Sequence, residues 1–222
     1  MKVSLISYSQ PVIKTDNNYC CEDLVVFCAR VSNPSNQTNT LNSEKLIKYL
    51  MSHSHWSPFE MVNICLEIET TRDIARQILR HRSFSFQEFS QRYAKADLGF
   101  HVREARLQDV KNRQSSIELT QNDLILQEEF KQKQEEIIHL SQKTYEWAIE
   151  QGIAKEQARV VLPEGNTVSK LYMNGSLRSW IHYLQIRTGI ETQKEHREVA
   201  LACLEAIEPI FPLIRNILLK NI

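Results

Sequence analysis

Glycine is scarce in this sequence. The 222 residues include only five glycines, at positions 99, 152, 165, 175 and 189, whereas glycine makes up roughly 7% of average proteins. No two of them are spaced as in the G-x-G-x-x-G turn or the P-loop, which cradle phosphates in many nucleotide-binding proteins. If a nucleotide binds, arginine side chains and helix ends must therefore hold its phosphates.

Net charge, paired cysteines and long apolar runs are also absent. The 27 basic and 27 acidic side chains balance, so no global field steers the chain towards nucleic acid or an anionic membrane. The five cysteines show neither a C-x-x-C pair nor the spacing of a zinc site. No apolar stretch is long enough to span a bilayer, and no N-terminal signal is visible. We predict a cytoplasmic protein with reduced thiols, no metal site, and no membrane or nucleic-acid partner.

The pattern of apolar residues predicts a mixture of strands and helices. Strands are expected at 2–8, 61–70, 86–93, 100–107 and 168–174. Helices are expected at 22–31, 43–51, 71–80, 176–187, 195–207 and 211–219, and one or two long surface helices within 115–151. We predict an α+β fold with a small mixed β-sheet flanked by helices. Residues 1–222 are expected to form a single domain in which 98–153 is a helical elaboration.

The segment 71–93 carries the densest group of functional side chains. Its first half predicts a helix that begins after Thr71 and places arginines opposite an apolar arc. For Arg72 and Arg76 alone, a solvated helix face is the simpler interpretation. If the second half is extended, Glu88, Ser90 and Arg92 point to one face. Such a cluster could hold an anionic, planar, hydrogen-bonding ligand.

The segment 53–60 (HSHWSPFE) has three possible interpretations. It could be a turn between a helix and a strand, with Trp56 and Phe59 packed on the core. Its two histidines could ligate a metal, but no third ligand follows at a recognisable spacing. It could also present His55 and Glu60 beside a planar ligand.

Two further groups of cations lie in the second half of the chain. Arg159 is surrounded by apolar residues, so its charge is expected to have a specific partner, either a carboxylate or a ligand anion. In the helix 176–187, Arg178 and His182 share a face because they lie four residues apart. Arg187 lies about 140° around the helix from His182, so one small ligand could hardly touch all three.

Taken together, these motifs resemble those of the flavin-dependent thymidylate synthases over most of the chain. Arg80-His81-Arg82, followed after seven residues by Ser90, resembles the signature of that family. His55, Ser57 and Glu60 match its H-x-[ST]-x-x-E segment, and 158–163 (ARVVLP) matches its A-R-x-x-L-P block. The resemblance implies a homotetramer whose sites are shared between subunits.

The resemblance also implies the reaction and its ligands. The expected activity is reductive methylation of dUMP to dTMP, with methylenetetrahydrofolate as carbon donor and an FAD-relayed hydride from NADPH. The implied flavin-binding residues are Ser57, Arg80, His81, Arg82, Glu88, Arg178 and His182. The implied dUMP-binding residues are Gln77, Arg80, Glu88, Ser90, Arg92, Arg159 and Arg187.

Two residues are given catalytic roles. The resemblance implies that Arg187 stabilises the negative charge that develops on the uracil ring. His55 is expected at the flavin ring, where it would help folate to stack and transfer its carbon. We expect Arg178 and His182 to meet flavin and Arg187 to meet the nucleotide, either in one site or in two different sites. No cysteine lies among basic residues, so a thiol nucleophile is not expected.

The sequence departs from the family pattern at three positions, where Met61, Ser176 and Glu191 replace a frequent His, Asn and His. A flavin contact by Ser176 is therefore left open. Two other functions remain possible. The basic helix and nearby phenylalanines could bind single-stranded nucleic acid by stacking, or the chain could bind a flavin or nucleotide without turnover.

Overall fold

The fold is organised around a four-stranded sheet, seen in a computed structural model that describes residues 1–12 and 20–218. Its strands, in spatial order, are β1 (Lys2–Tyr8), β2 (Asn63–Thr71), β6 (Val168–Ser176) and β3 (Ser85–Glu88). A separate antiparallel pair consists of β4 (Arg106–Gln108) and β5 (Ser116–Glu118). The helices are α1 (Cys21–Ala29), α2 (Ser43–Ser52), α3 (Arg72–Ile78), α4 (Leu124–Glu150), α5 (Lys155–Ala158), α6 (Leu177–Arg187), α7 (Lys194–Ile207) and α8 (Leu213–Leu218). The α+β class is thus confirmed.

The central strands β2 and β6 run antiparallel. Arg72 N, just after β2, donates to the carbonyl of Thr167, just before β6, at 2.9 Å. Leu177 N, just after β6, donates to the carbonyl of Val62, just before β2, at 2.7 Å. The end of each strand therefore meets the beginning of the other, which is antiparallel pairing.

The two outer strands are antiparallel to their neighbours as well. Ser9 N, after β1, donates to the carbonyl of Asn63, the first residue of β2, at 2.9 Å. Phe89 N, after β3, donates to the carbonyl of Lys170, near the beginning of β6, at 2.8 Å. The prediction of a mixed sheet is therefore wrong. Strand direction depends on pairing between distant segments, which the spacing of apolar residues does not encode.

The chain forms two compact units. The first takes the described residues of Met1–Ile68, His81–Gln87 and Tyr172–Ile222, and the second takes Glu69–Arg80 and Glu88–Leu171. Strands β2, β3 and β6 contribute residues to both units. The predicted homotetramer stays a prediction.

The core of the first unit is made by alternate residues of β2 and one face of α6. Ile64, Leu66 and Ile68 are fully buried, as expected of a strand with one face on the core. Trp180 is also fully buried and its Nε1 donates to the carbonyl of Ile64 at 3.0 Å. Each such apolar side chain contributes about 1.5–3 kcal/mol by burial. The apolar residues of α6 that repeat at helical spacing are all fully buried: Leu177, Trp180, Ile181 and Leu184.

The second unit contains the 27-residue helix α4, which confirms the long surface helix predicted within 115–151. Tyr145 and Ala148 of α4 pack with Ala158 of α5 in a small core. The buried Gln134 accepts from Arg103 N and donates to the Arg103 carbonyl, both at 2.9 Å. Residues 98–153 thus add a helix and the β4–β5 pair to this unit.

Two predicted strands are mostly wrong. The strand predicted at 86–93 ends at Glu88. Beyond it the chain turns, because the Ser90 carbonyl accepts from Tyr93 N and Ala94 N. The strand predicted at 100–107 is reduced to an isolated bridge of Phe100 and the beginning of β4. Alternating polarity in these segments reflects a partly exposed loop.

Gly175 lies inside β6, which continues through it to Ser176. A turn at this glycine, which its position directly after the strand predicted at 168–174 would suggest, is therefore not formed. A Cβ at this position would overlap ring carbon Cδ1 of Phe84. The glycine therefore permits a close approach of strand and ring.

The helices predicted near α1, α2, α3, α6 and α7 are confirmed with small shifts at their ends. The helix predicted at 211–219 corresponds to α8, and its last residue lies outside the described residues. No helix in the described residues is long and apolar enough to cross a membrane.

Candidate active site

In the first unit, the C-terminal end of α6 carries an arginine that is held by a histidine. Arg187 Nε donates to His81 Nε2 at 3.0 Å. An arginine nitrogen can only donate, so His81 Nε2 must accept, and the neutral ring carries its proton on Nδ1. Among the described residues, the terminal nitrogens of Arg187 make no hydrogen bond or ion pair. Two residues from distant predicted motifs therefore meet, and one of them is the predicted catalytic arginine.

Aromatic rings enclose the His81 side chain. Tyr183, one helical turn before Arg187, meets the His81 ring edge-on with centroids 4.9 Å apart. The Tyr183 hydroxyl lies 3.2 Å from Nε2 of His196 on α7. Tyr183 and His196 are buried, at 1% and 0% exposure. These four side chains are called the Arg187 cluster below.

The histidines of the Arg187 cluster are held neutral. Burial, reinforced by the charge of Arg187, lowers the pKa of His81 to about 4. Burial, with the charge of Arg187 and the nearby His81, lowers the pKa of His196 to about 3. Burial also raises the pKa of Tyr183. Near neutral pH, the arginine thus faces uncharged rings.

The N-terminal end of α6 holds its arginine differently. Arg178 Nη1 donates to Glu60 Oε1 at 2.9 Å. The Ser176 hydroxyl also bonds to Glu60, and Ser176 Oγ caps α6 by accepting from Ser179 N at 3.4 Å. The sequence left the role of Ser176 open, and the structure gives it these two contacts within the protein. Glu60, Arg178 and Ser176 are called the Glu60 cluster below.

The Glu60 cluster lies beside His182, as the four-residue spacing of Arg178 and His182 predicts. The Ser176 hydrogen bond and, less strongly, Arg178 lower the pKa of Glu60. Burial and the charge of Arg178 lower the pKa of His182. The His182 ring also packs edge-on against Trp56, with centroids 4.6 Å apart. This end of α6 therefore combines an ion pair with a neutral imidazole and an indole.

His55 and Ser57 are exposed and lie outside both clusters. The His55 ring meets Tyr49 edge-on at 6.1 Å, and Ser57 begins the short 3-10 helix Ser57–Met61. Phe59 in that helix is fully buried, so the prediction that it packs on the core is confirmed. The segment is therefore a turn that presents His55 and Ser57 to solvent.

In the second unit, Glu88 is surrounded by donors. Its two carboxylate oxygens lie 3.7 Å from Arg72 Nη1 and 3.5 Å from Arg76 Nη1. The Ser169 hydroxyl donates to Glu88 Oε1 at 3.0 Å, and Arg76 Nε donates to Glu164 at 3.0 Å. The Arg72 side chain is only 12% exposed, so a solvated face is the wrong interpretation for this residue.

Glu88, Ser90 and Arg92 do not share a strand face, so that part of the sequence prediction is wrong. Ser90 and Arg92 lie in the turn that follows β3. Arg92 Nε donates to Glu156 at 3.2 Å in an exposed pair. The predicted ligand Gln77 lies half-buried on α3. A turn can still present these side chains to a ligand, but not in the order that a strand would give.

Three other predicted arginines make no side-chain ion pair or hydrogen bond within residues 1–12 and 20–218. Arg82 belongs to the first unit and is exposed, while Arg80 and Arg159 belong to the second. The prediction that a carboxylate might pair with Arg159 finds no support among these residues. Each of the three charges remains available for an anion.

None of the thiols is suited to act as a nucleophile. Burial is the main cause of the raised pKa of all five: Cys20, Cys21, Cys28, Cys65 and Cys203. All five are free thiols. In the described part of the chain, no three His, Cys, Asp or Glu side chains are grouped as metal ligands.

Sequence reasoning missed two residues of these clusters, Tyr183 and His196, to which it gave no site role. Glu60 was considered only as one possible neighbour of a planar ligand and was not among the predicted site residues. The sequence feature that could have identified Tyr183 and His196 is a histidine or tyrosine within the apolar stripe of a helix, because buried polar groups need hydrogen-bond partners. Their partners come from other elements, which spacing cannot identify.

The chain is similar to known proteins along nearly its whole length. Residues 16–213 match the family described as thymidylate synthase complementing protein. A flavin-dependent thymidylate synthase of Synechocystis is 50% identical over 215 residues, covering 96% of this chain and 97% of that protein. A probable flavin-dependent thymidylate synthase of Paramecium bursaria Chlorella virus 1 is 45% identical over 218 residues, covering 98% and 99%.

A solved structure is also similar. The crystal structure of a UMP/dUMP methylase from Streptomyces cacaoi bound with 5-Br dUMP has a TM-score of 0.81 and 26% identity. The match covers 97% of this chain and 93% of that one. The same methylase bound with 5-Br UMP gives a TM-score of 0.82.

Proposed function

The chain belongs to the flavin-dependent thymidylate synthase family, and on this premise we propose that it converts dUMP to dTMP by reductive methylation. Membership confirms the predicted family and the prediction of an enzyme, a methyltransferase. The proposed carbon donor is methylenetetrahydrofolate, and the proposed reductant is NADPH acting through FAD. The Streptomyces methylase, whose structures contain 5-Br dUMP and 5-Br UMP, supports a uridine nucleotide as the substrate.

The observation that carries this proposal is that Arg187 is held by a neutral histidine and not by a carboxylate. Carbon-5 of uracil attacks a one-carbon unit only if the ring gains electron density, and negative charge then develops on the ring oxygens and nitrogen. A fixed cation beside the ring stabilises that charge. Arg187 suits this role because His81, which holds it, is neutral. We assign to Arg187 the stabilisation of the developing charge.

The nucleotide phosphate requires other cations and hydroxyls. We propose Arg92, Arg159 and Ser90 as its ligands, with Gln77 nearby. Arg159 makes no ion pair among the described residues, and Arg92 pairs only with the exposed Glu156. An exposed pair contributes about 0–1 kcal/mol, so a phosphate dianion can displace Glu156 at little cost.

The residues present fit a flavin dinucleotide, which supplies hydride transfer when it is bound. Glycine-rich turns are absent, but the exposed Arg80 and Arg82 have uncompensated charges suited to a diphosphate. Arg178 and His182 are proposed to contact the flavin from α6, with Ser57 beside them. Glu88 is proposed to act chiefly by fixing Arg72 and Arg76. His55, which is exposed, is proposed to help folate stack on the ring.

Activation by a cysteine adding to carbon-6 is the chemical alternative. That route needs a thiolate near neutral pH. Burial raises the pKa of Cys65, the cysteine of β2. Burial also raises the pKa of Cys21, to about 11. The thiols of this chain are therefore poor candidates, which favours electrostatic activation by Arg187.

The first test is the visible absorption spectrum of the purified protein. We expect a flavin spectrum that bleaches on anaerobic addition of NADPH, and faster when dUMP is present. Product analysis with methylenetetrahydrofolate should then show dTMP. A protein that stays colourless and takes up no added flavin would rule out the proposed function. The salt dependence of single-stranded nucleic-acid binding would then test the stacking alternative.

A second test compares UMP with dUMP as methyl acceptors. We expect dUMP to be the better substrate by the ratio of kcat/KM. A chain that binds flavin and dUMP but forms neither methylated product would be a binding module without turnover. Light scattering tests the proposed homotetramer, and the cytoplasmic location stays a prediction.

A further inference from the structure

The Arg187 cluster contains a buried polar pair that the proposed reaction does not use directly. His196 on α7 is fully buried, and its Nε2 lies 3.2 Å from the Tyr183 hydroxyl. A buried imidazole without hydrogen bonds is costly, so this contact stabilises both groups. A satisfied core histidine would explain the contact by itself. The position of Tyr183 indicates that the contact also affects His81.

Tyr183 connects His196 to the residue that holds Arg187. It lies four residues before Arg187 on α6, so both side chains project from the same face of the helix. Its ring meets His81 edge-on with centroids 4.9 Å apart. The His81 and His196 rings are themselves only 6.3 Å apart. A rotation of the Tyr183 ring would therefore remove one wall of the space in which His81 lies.

The direction of the His81 ring determines how Arg187 is presented. His81 Nε2 accepts the Nε hydrogen of Arg187, and the guanidinium is planar. Fixing Nε therefore fixes the plane in which both terminal nitrogens lie. If the His81 ring tilted or changed tautomer, this acceptor would be lost and Arg187 would become mobile.

We infer that His196 is a positioning residue: through Tyr183 it fixes the His81 ring, and so fixes the direction in which Arg187 presents its terminal nitrogens. This inference rests on the proposed function, in which Arg187 stabilises charge on the uracil. His196 itself is fully buried, so its side chain is not exposed to a substrate or flavin. It acts through two intervening side chains of the same unit.

Two variants test the connection. Tyr183→Phe removes only the hydroxyl, and His196→Phe removes the imidazole but keeps a ring. We expect each variant to lower kcat for dTMP formation ~10-fold and to change KM for dUMP less than ~2-fold. The reason is that a misdirected Arg187 stabilises the developing charge on uracil less well, and this loss affects mainly the transition state. The double variant should have a kcat no lower than that of either single variant, because both substitutions break the same contact between His196 and Tyr183. His196→Gln should restore most of kcat.

A readout without flavin or substrate separates this inference from the proposed function. Histidine labelled with ¹⁵N reports which ring nitrogen carries the proton, and His81→Asn identifies the His81 signals among the seven histidines. We expect an unprotonated Nε2 for His81 in the wild-type protein and a mixture of tautomers in Tyr183→Phe. If the wild-type protein forms no dTMP, the proposed function fails, and this measurement still decides the inference.

Val199→Ala is the matched control, because it removes buried volume from α7 without removing a polar group. It should lower the melting temperature but leave the His81 tautomer and kcat unchanged. If His196→Phe does not fold, Tyr183→Phe carries the test. Wild-type kcat and an unchanged His81 tautomer in a folded Tyr183→Phe protein would overturn the inference. So would equal losses of kcat in Val199→Ala and Tyr183→Phe.

Discussion

The two ends of α6 hold their arginines in opposite ways. Arg178, in the first turn, donates to the carboxylate of Glu60 at 2.9 Å. Arg187, in the last turn, donates to a neutral imidazole of His81 at 3.0 Å. The two distances are alike, but the charge of Arg178 is balanced by a carboxylate, whereas the charge of Arg187 is not balanced by its neutral partner.

The helix itself accounts for part of this difference. The N-terminal end of a helix carries partial positive charge and the C-terminal end carries partial negative charge. Arg178 therefore lies at the unfavourable end and is offset by Glu60. Arg187 lies at the favourable end, which stabilises a cation without a carboxylate. The comparison teaches that the last turn of α6 favours an uncompensated cation and that the first turn disfavours one.

The largest expected effect comes from replacing the uncompensated cation. Arg187→Lys keeps a charge but loses the planar donors, and we expect kcat/KM for dUMP to fall ~100-fold, as when an oxyanion donor is removed. Arg178→Lys is the matched variant at the other end of α6 and should cost ~10-fold or less. Steady-state kinetics with saturating flavin measure both. Equal losses at the two ends would contradict the comparison.

Replacing His81 by a carboxylate should make the two ends of α6 alike. His81→Asp would neutralise Arg187, and we expect dUMP to bind ~10-fold more weakly, equivalent to about 1.4 kcal/mol. His81→Asn offers a neutral acceptor instead and should bind dUMP within ~3-fold of the wild-type protein. Calorimetric titration of dUMP measures both affinities. If the Asp and Asn variants bind dUMP equally, the charge of the partner does not matter.

The neutral histidines also predict how stability depends on pH. The pKa of His81 is lowered to about 4 and that of His196 to about 3, below the unfolded value of about 6.5. Between these values the unfolded chain binds more protons than the folded one. The free energy of unfolding is therefore fully retained above pH ~6.5 and falls as pH drops towards 4, by at most about 1.4 kcal/mol per pH unit for each histidine.

Urea unfolding at a series of pH values measures this dependence. His196→Phe has one buried histidine fewer, so its free energy of unfolding should fall less steeply between pH 6.5 and 5. His139→Phe, which replaces an exposed histidine of α4, should keep the wild-type slope. A wild-type slope in His196→Phe would show that His196 is not held neutral.

The smallest effect is expected at the Glu60 cluster. Glu60→Gln removes the ion pair with Arg178. The Glu60 side chain is 38% exposed and the Arg178 side chain is 43% exposed. A pair so accessible to solvent contributes about 0–1 kcal/mol, so the free energy of unfolding should fall by less than ~1 kcal/mol. Glu156→Gln, which breaks the more exposed pair with Arg92, should change it still less. A loss above ~2 kcal/mol in Glu60→Gln would show that the pair is effectively buried.

Helices were easier to predict than the sheet for a physical reason. The stripe of Leu177, Trp180 and Leu184 repeats every three to four residues within one segment, so the buried face of α6 follows from local spacing. The direction of β3 beside β6 depends on pairing with residues more than 80 positions away. The extended form predicted for Ser90 and Arg92 likewise gave way to a turn, because no neighbouring strand pairs with them in the described structure.

The sequence by itself predicted the side chains of the candidate site. Arg80-His81-Arg82 and the other family motifs carry the resemblance that implied a flavin enzyme, the scarcity of glycine predicted that arginines hold any phosphates, and the apolar stripe predicted the buried face of α6. Only the tertiary structure decided that the charge of Arg178 is balanced by a carboxylate and that the charge of Arg187 is not. Glu60 pairs with Arg178 across 118 positions and His81 pairs with Arg187 across 106. Whether a cation meets a carboxylate or a neutral ring is set by long-range packing, since neither partner is within reach along the helix.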